Sequence, residues 1–161
     1  MRVAVCGPAV CSDDERQAAR VIGVQLAGLG HTVLCGGGGG VMAAVAEGAR
    51  SADGLVVAIR PGYEPGETAP HASVVITTDI GEARNAVLVA SADAVIAVGG
   101  SWGTLSEVAL AMRRARDLPE GALPVVSLYG WRVLNYEGKP IPGVAEAEDP
   151  VQAVALATGT S

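Results

Sequence analysis

Six short blocks of small and branched apolar residues punctuate the chain, at 2–6, 31–35, 55–59, 73–77, 94–98 and 124–128, and helical stretches lie between most of them. The strongest of them, at 94–98, is a continuous run of Ala, Val and Ile. Such runs are the mark of strands covered on both faces, as in a parallel sheet. The first helix opens on the capping box Ser12-Asp13-Asp14-Glu15 and stops before Gly30. Further helices are predicted over 41–52, over 80–91 behind a cap at Asp79, over 104–118, and over 150–157. Alternation at this spacing predicts an α/β fold, a single Rossmann-like doubly wound and mostly parallel sheet with helices on both faces and right-handed crossovers. Strand order 3-2-1 is expected on one side. The pattern leaves open where blocks 73–77 and 94–98 fall. Residues 60–70 read as a long loop, 130–149 as irregular, and 158–161 as a frayed end of one domain spanning 1–161.

The remaining composition narrows function by exclusion. Mean hydropathy is high at +0.37, yet no run approaches the roughly 20 apolar residues that span a bilayer. The N-terminus enters a strand directly, without the pattern of a signal peptide, so a cytoplasmic chain with no membrane partner is expected. Cys6, Cys11 and Cys35 are then free thiols, and with His31 and His71 far apart no metal site is predicted. Net charge is −6, which disfavours nucleic acid. The one basic cluster, Arg113, Arg114 and Arg116, falls late in a helix, where cations complement the dipole. Lys139 is the single lysine and stands before Pro140. That leaves no P-loop lysine and no plausible Schiff-base lysine, so a pyridoxal-phosphate decarboxylase is excluded.

Glycine supplies 22 of the 161 residues, and eight of them sit in two loops. Gly36, Gly37, Gly38, Gly39 and Gly40 precede Val41 and Met42. Gly99 and Gly100 precede Ser101, Trp102, Gly103 and Thr104. Each loop follows a strand and opens a helix. There, side-chain-free backbone and unpaired N–H groups receive an anion. The economical reading is one phosphate-bearing ligand between both loops; the alternative is that the glycines serve tight turns only. A dinucleotide fingerprint fits weakly at Gly38-x-Gly40-x-x-Ala43. The next strand ends at Arg60 rather than at an acid, which leaves NADP as the only dinucleotide option.

Two ionisable residues stand out. Arg84 lies inside the apolar stripe of the 80–91 helix, so it must be paired, snorkel to solvent, or bind an anion. Glu107 completes a second capping-box pattern, Thr104-x-x-Glu107, and also lies one turn beyond the second glycine loop, within reach of a bound sugar. Cap and catalytic base are both open readings.

Taken together, the Gly36–Met42 loop, the Arg84 helix and Gly100-x-x-Gly103-Thr104-x-x-Glu107 resemble the LOG (LONELY GUY) superfamily, often labelled lysine decarboxylases. The resemblance covers about residues 2–128. It implies a Rossmann-type homodimer or higher homo-oligomer without a resident cofactor. The implied activity is a phosphoribohydrolase, releasing the base from a nucleoside 5′-monophosphate with Arg84 and Glu107 as catalytic residues. The chain departs from the family motif: Gly99 replaces a proline, Ser101 a glycine, and Asn85 the lysine that usually follows the arginine. Those departures resemble a shorter branch that includes molybdenum-cofactor carrier proteins, which would use the same loops for a pterin phosphate without hydrolysis. Three functions are therefore carried forward: N-glycosidic hydrolase, non-catalytic carrier or sensor of a phosphorylated ligand, and assembly module with a vestigial pocket. The helices at 41–52 and 80–91 are both candidate self-association surfaces.

Overall fold

The computed structural model describes residues 1–62 and 69–160. Most of the 60–70 loop, and Ser161 of the expected frayed end, lie outside the described residues. Seven strands form one sheet in the order β4-β3-β2-β1-β5-β6-β7: β1 (Arg2–Cys6), β2 (Thr32–Cys35), β3 (Val56–Arg60), β4 (Val74–Thr77), β5 (Ala94–Val98), β6 (Val125–Leu128) and β7 (Ala145–Ala147). All six pairings are parallel. The 3-2-1 order is present, and β5 pairs directly with β1, Val3 opposite Ala94.

Five helices cover the sheet. On one face α1 (Asp13–Gly28), α2 (Gly40–Ser51) and α5 (Pro150–Thr158) bury Ile22, Leu26, Val45 and Val154 against Val3, Val5 and Val33. On the other, α3 (Arg84–Ala90) and α4 (Trp102–Ala115) bury Leu88, Val89 and Ala111 against Ala4, Leu34 and Val95. Strand alternation thus divides the core in two. No helix among the described residues is long and apolar enough to cross a membrane.

Several expectations change. The 80–91 helix breaks into a short 3₁₀ turn (Gly81–Ala83) and then α3, with no side-chain cap. Both Asp79 and Gly81 have positive φ there, which a helix cannot accommodate. The irregular 130–149 segment contains β7, and an antiparallel bridge joins Leu134 to Pro140. Thr158 remains helical, and Gly159 closes α5 in the left-handed conformation. The α2 helix packs tightly on α1: a side chain at Gly48 would run into the Arg20 backbone. It is therefore core rather than a free surface, whereas Ile80 and Val87, with Val74, Val75 and Ile76 of edge strand β4, stay exposed. Arg114 donates to the Val89 and Ala92 carbonyls at 2.7 Å, so this arginine of the basic cluster ties α4 to α3.

Candidate functional site

Parallel strands deliver their following loops to one end of the sheet. Both glycine loops lie there, after β2 and β5, on either side of β1. Two strand spacings, about 10 Å, separate them. Between β1 and β5 the connections change direction, which is where open α/β sheets bind ligands.

Helix ends at this crevice differ in charge. The first turn of α1 holds Asp13, Asp14 and Glu15 and is closed by the predicted capping box, Ser12 N–H donating to Glu15 at 2.7 Å. Those acids fill the position that takes phosphate in a dinucleotide fold. Neither α2 nor α4 has an acid in its first turn. At α2 the N-cap is Gly39, which offers no side chain to the first N–H groups. The acid-free helix starts are therefore the two that follow the glycine loops.

Within the first loop the glycines divide by environment. A side chain on Gly36 would strike the Arg84 guanidinium, and Met42 lies across both Gly36 and Gly38. Gly37 backs onto Ala58 and Arg60, which is buried at the end of β3. Gly39 and Gly40 back onto the carbonyls of residues 8 and 9, and Val41 N–H donates to Pro8 at 3.1 Å. Of the five, Gly36 lies beside Arg84 and Met42, and Gly38 beside Met42.

In the second loop the expected Thr104–Glu107 capping box does not form. The N-cap is Ser101, whose hydroxyl accepts from Thr104 N–H at 3.1 Å. Because Ser101 is a strong cap, it starts the helix at Trp102, and Glu107 falls three residues beyond the N3 position that a capping box requires. Ser101→Ala is expected to cost about 1 kcal/mol in a urea titration, and Thr104→Ala less; the reverse ranking would contradict this assignment. Gly99 packs on the Glu15 carboxylate, Gly100 on the Trp131 ring, and Gly103 is open. Trp102 is 79% exposed.

Arg84 and Glu107 do come together, beneath the loops on the α3–α4 face. Arg84 is 7% exposed and Glu107 6%. Arg84 Nη1 donates to the Ile59 carbonyl at 2.9 Å, while its Nε, though buried, has no partner. Burial pushes the Glu107 carboxyl up to about 7; the positive charge of Arg84 and a hydrogen bond with Cys6 pull the other way. Burial, then Glu107, pushes the Cys6 thiol well up, so it stays protonated. Asn85 joins the group: its Nδ2 donates to Ser106 at 2.9 Å and its buried Oδ1 is unpartnered.

A cavity of about 390 Å³ opens on the other flank of α4. It shares Gly99, Gly100, Ser101 and Thr104 with the second loop and is otherwise lined by Ala97, by Leu105, Val108, Ala109 and Met112 of α4 and by the 127–147 region, and neither Arg84 nor Glu107 lines it. Sequence reasoning missed Cys6 and Trp131. Cys6 had a signal, being the last residue of the strand at the switch point; Trp131 had none, since its position depends on how 130–147 folds back.

The model of the SLOG cluster4 family matches residues 1–120. A protein of Archaeoglobus fulgidus is 41% identical over 135 residues, which is 84% of this chain and 88% of that one. Among solved structures, the molybdenum cofactor binding protein of the phototrophic bacterium Rippkaea orientalis superposes with a TM-score of 0.82 at 31% identity, covering 96% of this chain and 93% of that chain. The molybdenum cofactor carrier protein of Chlamydomonas reinhardtii gives 0.79 at 29% identity, covering 96% and 94%.

Proposed function

The chain belongs to the SLOG cluster4 family, and from that premise we propose that it binds a phosphorylated small molecule between its two glycine loops and carries it unchanged. The molybdenum cofactor, which the Rippkaea and Chlamydomonas proteins are described as binding or carrying, is the first ligand to test. The observation that carries the reading is the distribution of helix-end charge: α1 is neutralised by its own acids, while α2 and α4 present acid-free first turns on either side of β1. Phosphate is then held by backbone N–H groups of Gly36–Gly38 and of the loop from Gly99 to Gly103, with Arg84 behind them. Backbone donors backed by an arginine suit an anion, and no lysine is required.

Burial of Glu107, and its absence from the open cavity, favours retention over cleavage. A second reading keeps hydrolysis. A carboxyl titrating near 7 beside an arginine suits a general acid or base, and a nucleoside 5′-monophosphate would be its substrate. Incubation with a panel of nucleoside 5′-monophosphates separates the two. The carrier reading expects no free base above the blank, and no difference between wild type and Glu107→Gln. Base release by the wild type that falls at least about 100-fold in Glu107→Gln would establish the hydrolase instead.

Self-association is part of the proposal. The exposed Val74, Val75 and Ile76 on an edge strand, continued by Ile80 and Val87, form an apolar strip suited to a second copy of the chain.

A further inference from the structure

A buried cation in this structure faces two places where a negative charge can stand. Arg84 is 7% exposed. On one side its guanidinium lies against the first glycine loop, where a Cβ on Gly36 would run into Nη1. On the other, its charge acts on the buried Glu107 across the α3–α4 seam. No close ion pair among the described residues commits that charge. Nη1 donates to the neutral Ile59 carbonyl, and the buried Nε has no partner. The other groups facing Glu107 among the described residues offer no second cation. The Cys6 thiol at the end of β1 donates to it, and Glu82, in the turn before α3, repels its charged form. Cys35 at the end of β2 acts on Cys6. Asn85 and Ser106 are neutral and bond each other at 2.9 Å.

We propose that Glu107 is a positioning residue that couples anion binding to a proton: it acts through Arg84, which serves either the Glu107 carboxylate or an anion at the first glycine loop. The anion's place rests on the functional reading above; the coupling rests on the placement of Arg84 and Glu107. A protonated Glu107 leaves the full Arg84 charge to the loop. An ionised one offsets it, and burial keeps water from screening the two. The exchange falls near neutrality, since burial holds the Glu107 carboxyl up to about 7. An anion on Arg84 weakens the field that favours the carboxylate, so Glu107 binds its proton more firmly in the complex. Linkage then fixes the sign: anion binding takes up a proton, and affinity is highest below pH 7 and falls as pH rises through it. A ligand held at this loop is accordingly loosened when Glu107 ionises.

Sulfate is the probe, because it keeps both charges throughout this range and carries no glycosidic bond to cleave. It is added to the unbuffered protein in a pH-stat, with sodium chloride of equal ionic strength as the blank. It is expected to draw about half a proton per bound anion near pH 7.5. By calorimetry its affinity should fall about fivefold between pH 6 and pH 8. Glu107→Gln should bind sulfate with no proton uptake and with the same affinity at both pH values. That retained binding shows the variant is folded, and loss of a merely structural glutamate would not flatten the profile. Sulfate binding by the wild type without proton uptake, at an affinity independent of pH, would overturn the inference and leave the anion site standing. Uptake that persists in Glu107→Gln would assign the proton to another group, such as His71 near Glu47, and also overturn it. No sulfate binding at either pH would remove the functional reading itself, and this inference with it.

Discussion

Replacing Gly38 by valine is expected to leave the protein folded and to weaken its hold on a phosphorylated ligand by at least about 100-fold. The estimate follows from losing two backbone donors to a charged group, each contributing about 1.5–3 kcal/mol. Folding should survive, because the new Cβ meets mainly the terminal methyl of Met42, at 2.7 Å, and a thioether end moves easily. The valine methyls then occupy the space where an anion would approach the loop. Gly36 is a poorer test position, since a side chain there would displace Arg84 itself. Gly28→Ala is the control: its Cβ would meet nothing within 4 Å, and it lies at the end of α1, remote from both loops. Calorimetric titration of the two variants with AMP reads the difference. Equal affinities for Gly38→Val and Gly28→Ala would mean that the first glycine loop is only a turn.

The second large effect concerns Glu107 and pH. An ordinary glutamate titrates near 4.5, and burial raises this one to about 7. Between those values the folded protein holds a proton that the unfolded chain has lost. Stability therefore falls as pH rises from 4.5 to 7 and levels off above. Fully expressed, the loss is about 3 kcal/mol. Glu107→Gln removes the charge but keeps the shape. It should match the wild type near pH 4.5 and exceed it by about 2–3 kcal/mol at pH 8, raising the melting temperature by roughly 5–10 °C. A stability difference that does not change between the two pH values would show that Glu107 is not held in a poorly solvated site.

Much of this was legible in the residues because the physics involved is local. The Val and Ala blocks and their spacing dictate a parallel sheet, and a charged residue inside an apolar helical stripe must be paired, snorkel to solvent or bind an anion; Arg84 is buried, with one guanidinium nitrogen on the Ile59 carbonyl. Ser12 with Glu15 marks a helix start that the structure keeps. Competition between neighbouring signals was less legible. Ser101 and Thr104 are both capping residues, and only the chain's exit from β5 decides that Ser101 takes the role. Asp79 looked like a cap, but its positive φ turns the chain before α3 begins. The cavity was invisible because its wall is non-local: Trp131 reaches Gly100 and Gly143 reaches Met112 only once β7 has joined the sheet beside β6.

The central claim, that one phosphorylated ligand is held at the loops and kept intact, is tested most directly by native mass spectrometry. The protein is mixed in turn with molybdenum cofactor and with AMP, desalted, and weighed. The account predicts one intact ligand per chain for at least one of the two, and its loss in Gly38→Val. A bare chain with both ligands, or an adduct of ribose 5-phosphate mass after incubation with AMP, would contradict it.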